Sequence, residues 1–328
     1  YLSTNEATPF TVQIFNNNVL YTTATISKGN PTSVSIPEYF MMATTQSDLF
    51  TPSNKGMYVK GPKKFYANYR FEVTNHAEII TSKGLAGIGT TFYAAMAPNT
   101  AATSYVSSNI GILATEDNTS VTISGYDPGV VFSNGSSPTS INFILNKGQS
   151  YILDVASQDS PSNLTGLIGT KIVATQPITV TNGNYNGIYT TQNLTNNDIL
   201  MDQSVPVDRL GKDFAVVKGN GPVNSGMEAI LVVATEDNTT LLVNGNPYGV
   251  ILNEGDYTLI QGTNYIDQGS SHYNISVKGS KNIYVYQLLA GTSVGNVYPS
   301  GGFNYIPPLS CFLPNKVDEI GFINRIGA

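Results

Sequence analysis

The chain has 328 residues, a net charge of −6 and only 12% charged residues, about half the usual share of roughly 25%. Its 16 Lys and Arg residues form no run, which excludes the dense cationic face that nucleic-acid binding requires and argues against binding to anionic membranes. No apolar stretch reaches the length of about 18 residues that spans a bilayer, so we expect no direct membrane insertion. Thr, Ser, Asn, Gly and 20 Tyr replace the missing charges, a composition that favours a secreted or cell-surface protein.

Apolar segments are short throughout the chain and rich in β-branched and aromatic residues. In chain order, clear examples are Phe10–Phe15, Tyr66–Phe71, Val121–Ser124, Ile178–Thr181, Leu241–Val243 and Asn282–Leu288. Several alternate between two faces, and no segment of ten or more residues has a helical pattern. The sequence therefore predicts an all-β fold. Because Cys311 is the only cysteine, stability must come from strand pairing and core burial rather than from an intrachain disulfide.

Two copies of one pattern follow each other along the chain. Ile112–Gly125 (ILATEDNTSVTISG) matches Val232–Gly245 (VVATEDNTTLLVNG). Further matches in the same order are Phe143–Leu153 with Val250–Ile260, Gly169–Gly183 with Tyr273–Gln287 and, upstream, Gly87–Ala95 with Arg209–Val217. Consecutive elements that match in the same order indicate an internal repeat.

A third, more diverged copy is expected at the start of the chain. Phe10–Phe15 and Thr22–Ser27 predict one pair of strands, and Met57–Phe71 resembles the KGSKNIYVY element of the last copy. Because the end of the chain resembles an internal segment, we expect the parent polypeptide to continue beyond Ala328, and other domains of the same polypeptide are expected partners. The predicted organisation is a single repeat-built domain, 1–328, with approximate repeats at 10–75, 112–185 and 232–290 and a closing segment at 303–328.

Each copy predicts two hairpins. Their turns are expected at Glu116–Thr119 and Thr175–Pro177 in one copy, and at Glu236–Thr239 and Gly279–Asn282 in the next. Three copies then give six hairpins, and short antiparallel strands joined in a row suit a radial array with short, protected edges. The sequence predicts a roughly six-bladed propeller-like array, with three tandem β-sandwiches as the alternative.

Taken together, these elements resemble a known family. An LG..F strand (Leu210, Gly211 and Phe214), the ATEDNT turn, an LN.G..Y.L element and a K-P/N-I-x-V strand are similar to the N-terminal domain family of the IgGFc-binding proteins. The closing run Tyr305–Gly327 looks like bacterial, Bacteroidetes-like members of that family. The resemblance implies a secreted or surface protein with a binding or adhesive role. It does not imply immunoglobulin binding, because its motifs mark strands and turns rather than a contact site.

The repeated ATEDNT turns are the most conspicuous polar feature. We expect their Asp and Asn residues to bond to the local backbone and to adopt left-handed conformations. A second interpretation is a calcium site, because calcium prefers carboxylate and amide oxygens. The candidate ligands are Glu116, Asp117, Asn118, Glu236, Asp237 and Asn238. A further acidic stretch, Asn196 to Asp202, is expected to be a solvated loop, with calcium as its minor interpretation, and no other cofactor is expected.

Tyrosine is the residue type best suited to recognition in this chain. Tyr185 and Tyr189 flank an Asn/Gly-rich loop after one copy, and Tyr298 and Tyr305 lie in the corresponding connection after the next. Tyrosine offers a large contact area at low entropic cost, and its hydroxyl functions in a wet interface. These four residues are therefore candidate ligand contacts, although each would also serve as an ordinary strand residue with a half-buried ring.

Catalytic chemistry has little support in the sequence. His76 and His272 are the only histidines, and no HExxH, paired CxxC or G-x-S-x-G motif is present, which leaves no recognisable metal centre or serine nucleophile. We therefore expect a non-catalytic extracellular module that binds a protein or a glycan through inter-strand loops. The alternatives are a structural spacer of a large surface protein, and a propeller-type glycosidase or lyase with paired carboxylates.

Overall fold

The computed structural model describes residues 1–73, 76–189, 197–219, 221–290 and 301–309. The described strands form two three-stranded sheets, one seven-stranded sheet and one eight-stranded sheet. The all-β prediction is confirmed. The six-bladed arrangement is not, because the two large sheets are curled and nearly closed. The helical segments in the described ranges are short 3-10 turns at Glu38–Phe40, Gln46–Asp48, Gly84–Gly87, Pro161–Leu164, Val207–Arg209 and Gly262–Asn264.

The strands are numbered in chain order and fall into an N-terminal region and two units. The N-terminal region contains β1 (Leu2–Ser3), β2 (Phe10–Asn16), β3 (Val19–Ile26), β4 (Met57–Lys60), β5 (Tyr66–Val73) and β6 (His76–Thr81). The first unit contains β7 (Gly89–Tyr93), β8 (Ser107–Ala114), β9 (Thr119–Ser124), β10 (Ser140–Leu145), β11 (Ser150–Ala156), β12 (Lys171–Gly187) and β13 (Asp198–Gln203). The second unit contains β14 (Gly211–Val217), β15 (Glu228–Ala234), β16 (Thr239–Val243), β17 (Asn246–Leu252), β18 (Tyr257–Gln261), β19 (Ile266–Asp267), β20 (Tyr273–Leu289) and β21 (Gly302–Tyr305).

Each unit is organised around one strand of 17 residues, β12 in the first and β20 in the second. The first half of β12 pairs with β9 on one edge and β7 on the other, whereas its second half pairs with β8 and β13. In the second unit β20 pairs first with β16 and β14, and then with β15 and β21. Each long strand therefore runs through two half-sheets and belongs to both.

The turns expected at Thr175–Pro177 and Gly279–Asn282 are wrong. Both segments lie inside the long strands, where the strand exchanges one set of neighbours for another. Ala174 still pairs with Val121 of β9, whereas Ile178 already pairs with β8. The residues between them interrupt the ladder of hydrogen bonds without reversing the chain. Glycine and proline occur at such interruptions of a strand as well as in turns.

The ATEDNT segments are not hairpin turns either. β8 and β9 follow each other along the same edge of β12, and Thr115–Asn118 carries the chain from one half-sheet to the other. β15 and β16 have the same relationship to β20 across Thr235–Asn238. Asp and Asn tolerate the left-handed backbone of both a reversal and an interruption, so composition alone does not distinguish the two.

Hydrogen bonds from hydroxyl side chains hold the interrupted strands of the first unit together. The Thr115 hydroxyl donates to the Pro177 carbonyl oxygen at 2.6 Å, which ties the break between β8 and β9 to the change of neighbours in β12. The Ser120 backbone N–H donates to the Thr175 hydroxyl at 2.9 Å. These bonds satisfy backbone groups that lose their ladder partners at this level of the sheet.

The second unit repeats the arrangement with different residues. The Thr235 hydroxyl donates to the Asn282 carbonyl at 2.8 Å, and the Thr240 N–H donates to the Ser280 hydroxyl at 2.9 Å. The two units therefore share one local architecture. We call this level of each unit the bend, which comprises Thr115–Ser120 with Thr175–Pro177 in the first unit and Thr235–Thr240 with Ser280–Asn282 in the second.

The two units pack tightly because β15 is buried on both faces. Ile230 lies in the core inside the second unit, whereas the next residue, Leu231, lies in the core of the first unit. The buried Tyr284 of β20 reaches the linker between the units, where its hydroxyl donates to the Val205 carbonyl at 2.7 Å. A buried tyrosine hydroxyl requires such a partner, so the interface fixes the linker as well as the sheets.

A glycine in the LN-x-G element brings each unit against the preceding part of the chain. In the first unit Gly148, with φ of +81°, packs on the Asn17–Asn18 turn, and a Cβ there would lie 2.6 Å from the Asn18 nitrogen. In the second unit Gly255 meets Gly169, and a Cβ on Gly169 would overlap the Gly255 carbonyl. Because only glycine permits both the backbone conformation and this approach, the motif serves the contact between successive parts of the chain.

The N-terminal region contains the predicted strand pair in a different arrangement from that of the units. β2 and β3 form a hairpin around Asn17 and Asn18, both with a left-handed backbone. The segment Met57–Phe71 is divided between β4 and β5, which belong to two different sheets, whereas the element it was matched to is one continuous strand. The range 10–75 therefore differs in strand order from 112–185 and 232–290.

Strand pairing joins the N-terminal region to the first unit. Ser53 and Ser150 exchange two backbone hydrogen bonds of 2.8 Å, which adds an extended segment to the free edge of β11. In the described part of the closing segment, β21 pairs with β20 of the second unit. Residues 310–328 lie outside the described residues.

Replacing Thr239 by Val tests the hydrogen bonds of the bend. The Thr239 side chain is buried, and its hydroxyl donates to the Glu236 carbonyl at 2.7 Å. Valine keeps the shape but leaves that carbonyl unpaired, so the free energy of unfolding should fall by about 1–2 kcal/mol in urea denaturation. Thr240→Val, at the adjacent exposed position, is the matched control and should change it by less than about 0.5 kcal/mol. Equal losses from both variants would contradict the role of the hydroxyl.

Gly169→Ala tests the contact between the units. Gly169 and Gly245 have nearly the same φ, +82° and +80°, but only a Cβ on Gly169 would meet another segment, since nothing lies within 4 Å of the position at Gly245. Gly245→Ala should cost about 1 kcal/mol for its left-handed backbone alone. Gly169→Ala should cost at least about 2 kcal/mol more in urea denaturation, because the backbone of Gly255 must move. Indistinguishable losses would mean that the close approach is absent in solution.

Candidate functional site

The ATEDNT turns use their polar side chains to hold the backbone. Asp117 Oδ1 accepts the Lys147 backbone N–H at 3.0 Å, and Asp237 Oδ1 accepts that of Glu254 at 2.9 Å. Asn118 adopts a left-handed backbone with φ of 53°, as does its counterpart in the second unit. The Asp carboxylates therefore connect the break between β8 and β9, or β15 and β16, to the neighbouring LN-x-G turn.

The acidic residues expected in a solvated loop lie instead in strand β13. Asp198 is 3.3 Å from His76 Nδ1, and Asp202 is buried beside the Lys83 ammonium at 2.8 Å; Asn196 lies outside the described residues. Opposite charges make the burial of Asp202 tolerable. Within the described ranges, no group of three or more His, Cys, Asp or Glu side chains is placed to hold a metal ion. Calcium binding by the ATEDNT turns stays a prediction.

The four candidate tyrosines have different surroundings. Tyr185 is 37% exposed, whereas Tyr189 and Tyr305 are buried in the core of the first unit, and Tyr298 lies outside the described residues. Burial raises the pKa of Tyr189 to about 12. Neither Tyr189 nor Tyr305 is open to a ligand in this structure, because both rings are buried. The sequence could not reveal this, since an Asn/Gly-rich context surrounds tyrosines that anchor a loop in the core as well as tyrosines that face solvent.

Tyr185 lies in a group of rings that the N-terminal region contributes. Tyr69 stacks on Phe71 with ring centroids 5.1 Å apart. Burial raises the pKa of both Tyr69 and Tyr185, and the negative charge of Glu38 raises both further. Tyr185 also raises the pKa of Tyr69, so Glu38, Tyr69 and Tyr185 influence one another electrostatically across the two parts of the chain. The Tyr185 backbone is itself fixed, since its N–H donates to the Asn109 side chain at 3.0 Å.

Glu38 begins a 3-10 turn whose next two residues extend this group. Tyr39 is 57% exposed and Tyr21 is 39% exposed. The Phe40 ring makes T-shaped contacts with both, at centroid distances of 4.6 Å and 5.3 Å. We define the tyrosine surface as Tyr21, Tyr39, Phe40, Tyr69, Phe71 and Tyr185 around Glu38.

The tyrosine surface has the composition of a protein interface. Interfaces are enriched in aromatic residues and depleted of charge at their centre, and tyrosine adds a hydroxyl that bonds to a partner or to bridging water. The sequence pointed to Tyr185 but missed Tyr21, Tyr39 and Tyr69, which come from the non-repetitive start of the chain. The alternation of Tyr69 and Phe71 on one face of β5 was the available signal, but it does not reveal that Tyr185 of the first unit acts on Tyr69.

A separate open cavity of about 280 Å³ lies in the second unit, between Val217–Val223 and Ser271–Tyr273. One wall is a loop held by the buried Glu228, whose carboxylate accepts the backbone N–H groups of Gly219 (2.8 Å) and Gly221 (3.0 Å). No Asp or Glu is among its described lining residues. The cavity therefore gives no support to the glycosidase or lyase alternative, which requires two facing carboxylates.

The family described as IgGFc binding protein matches residues 80–325. The chain belongs to this family. No curated protein and no solved structure matches the chain. The IgGFc-binding match includes strands β7 to β21 and Tyr185, whereas Tyr21, Tyr39 and Tyr69 precede it.

Membership in the IgGFc-binding family confirms the resemblance found in the sequence. It places the chain among extracellular protein-binding modules rather than in a known enzyme family. In the part of the chain that the structure describes, no helix is both long and apolar enough to cross a membrane. The bacterial origin suggested by Tyr305–Gly327 stays a prediction.

Glu38→Gln tests whether the tyrosine surface is assembled as described. Removing the charge should lower the pKa of Tyr69 and Tyr185 together, although burial keeps both above the ordinary value. The measurement is a pH titration followed by NMR of chains labelled at the tyrosine Cζ. Glu72→Gln, on the same strand as Tyr69, is the control and should leave both values unchanged. A shift in one tyrosine but not in the other would show that Glu38 does not lie between them.

Proposed function

We propose that the chain is a non-catalytic module that binds an extracellular protein through the tyrosine surface. The observation that supports this most directly is the group of partly exposed rings, led by Tyr39 and Tyr185, around the single carboxylate of Glu38. A protein partner agrees with the family to which the chain belongs. A glycan partner and a purely structural spacer are the alternatives that the experiment must separate.

Rigid placement of the rings favours affinity. Tyr39 lies in a 3-10 turn and Tyr185 at the end of the long strand β12, with its N–H bonded to Asn109. Binding residues that are already fixed lose less conformational entropy when a partner arrives. Tyrosine has only two side-chain torsions, so little freedom is lost even at the exposed rings. Contacts from this surface would give affinity without the strong charge that the chain lacks.

The tyrosine surface also depends on the contact between the N-terminal region and the first unit. Tyr21 and Tyr39 come from the first of these and Tyr185 from the second, and the strand pairing of Ser53 with Ser150 holds the two together. Gly148 against the Asn17–Asn18 turn is a second contact between the same parts. We therefore propose that the residues before the family match belong to the functional unit, and that a chain shortened to 80–325 loses the binding activity.

The double variant Tyr39→Ser/Tyr185→Ser tests the proposal by surface plasmon resonance. The immobilised chain is exposed to immunoglobulin G Fc, which the family description names, and to fibronectin, collagen, laminin and purified mucin. For each protein that binds the wild type, the double variant should bind at least roughly tenfold more weakly, as expected when two interface anchors are removed. Tyr66→Ser is the matched control, because Tyr66 is 54% exposed on the opposite face of β5 from Tyr69.

Each outcome of this experiment selects one function. Equal affinity of the double variant and the wild type would place the binding site elsewhere and contradict the proposal. Binding on a glycan array, with no binding to any of the proteins, would favour a glycan partner. The absence of binding in both formats would favour the structural spacer.

A further inference from the structure

The chain makes one kind of contact twice between its successive parts. The LN-x-G turn of the first unit packs through Gly148 on the Asn17–Asn18 turn of the N-terminal region. The LN-x-G turn of the second unit packs through Gly255 on Gly169 of the first unit. Each contact joins a turn of the later part to a different surface of the earlier part. This is a head-to-tail arrangement, which can be repeated with a further unit.

The receiving surface of the first unit lies around Lys171. The Lys171 ammonium donates to Glu254 Oε1 at 2.7 Å, and the Tyr93 hydroxyl donates to the same oxygen at 2.7 Å. Gly125 directly follows β9, has a left-handed backbone with φ of +76°, and lies beside Lys171, since a Cβ there would be 3.9 Å from the Lys171 Cβ. The turn of the second unit is therefore received next to the end of β9.

The second unit has the same receiving element, and there it is open. The internal repeat places Gly245, just after β16, at the position of Gly125. Asn244 and Gly245 form the tip of the β16–β17 hairpin with φ of 51° and 80°, close to the left-handed pair of 45° and 60° at Asn17 and Asn18. Among the described residues, no other segment lies within 4 Å of a Cβ added at Gly245.

The open tip is held in place by its own unit. The Asn244 N–H donates to the Ser276 carbonyl at 2.9 Å, and the Ser276 N–H donates back to Asn244 Oδ1 at 3.0 Å. Asn244 Nδ2 donates to the Asn264 carbonyl at 2.7 Å. A tip that is already fixed loses little conformational entropy when a partner arrives.

Exposed apolar side chains lie on the strands beside this tip. Val217 of β14 and Ile266 of β19 flank Asn274 of β20 in register, and they are 73% and 48% exposed. In the repeat Val217 corresponds to Ala95, which is fully buried in a core that also contains Leu231 of the second unit. A position that lies in the shared core of the two units therefore has an exposed counterpart on the second unit.

We propose that the Asn244–Gly245 tip, together with Val217 and Ile266, docks an LN-x-G turn of a separate protein that contains a unit of the same kind. Both LN-x-G turns of this chain are packed on its own preceding parts, so a second copy has none to offer. The glycine of the partner's turn approaches the tip as Gly148 approaches the Asn17–Asn18 turn. This surface belongs to the second unit, and neither it nor the tyrosine surface depends on the other.

NMR titration of the ¹⁵N-labelled full chain tests the docking site. The probe is a head-to-tail cyclic peptide that contains Val250–Ile260 (VILNEGDYTLI), because cyclisation supplies the hairpin order that a short linear peptide lacks. The amide signals of Val217, Gly245 and Asn274 should shift at peptide concentrations up to about 1 mM. The same peptide with the change Gly255→Val should bind at least roughly tenfold more weakly, because a side chain there blocks the close approach.

Variants of the chain locate the site. Val217→Glu/Ile266→Glu places charge on the exposed apolar positions and should weaken binding at least roughly tenfold. Ile144→Glu is the matched control, because Ile144 is 62% exposed on β10 of the first unit, and it should leave the affinity unchanged. Unshifted signals at Gly245 and its neighbours, or equal binding of the glycine and valine peptides, would overturn the proposal. Shifts confined to the surroundings of Gly169, where the chain's own turn packs, would overturn it as well.

Discussion

The architecture of both units depends on the bend, where three neighbouring runs of strand are interrupted at the same level. Hydroxyl groups of Thr115 and Thr235 bond to the Pro177 and Asn282 carbonyl groups of the long strands there, so these carbonyls have a partner where the strands change neighbours. A ladder interrupted without such partners would leave backbone groups unsatisfied at a cost of about 1–3 kcal/mol each. The ATEDNT motif therefore marks a strand interruption in both units.

The remaining features follow from this constraint. Because the bend sets where the LN-x-G turns emerge, Gly148 and Gly255 reach the preceding parts of the chain, and successive parts pack against one another. In that packed arrangement, Glu38 of the N-terminal region acts on the hydroxyl of Tyr185 in the first unit. Elsewhere between the N-terminal region and the first unit, β6 lies against β13, and Lys83 forms an ion pair with Asp202. The proposed binding surface and the buried Lys83–Asp202 ion pair thus both lie at the junction between the N-terminal region and the first unit.

The sequence revealed the class of fold, the repeat and one member of the tyrosine surface, because these depend on local pattern. It misassigned the turns, since Asp117 and Pro177 occur equally well where a chain reverses and where a strand is interrupted. It also placed Tyr189 at a ligand, although burial depends on which loop folds back over the core. Tyr39 and Glu38 were missed for the same reason: their importance arises from a tertiary contact with residues far along the chain, and no local periodicity encodes such a contact.

Native-state amide hydrogen exchange, followed by NMR, tests the bend most directly. The Ser120 and Thr240 N–H groups donate to side-chain hydroxyls in the two units. If the bend is one rigid element that both units share, these two amides should exchange as slowly as central strand amides such as those of Val180 and Val285. Exchange at the rate of exposed turns, or protection in one unit without the other, would contradict the account.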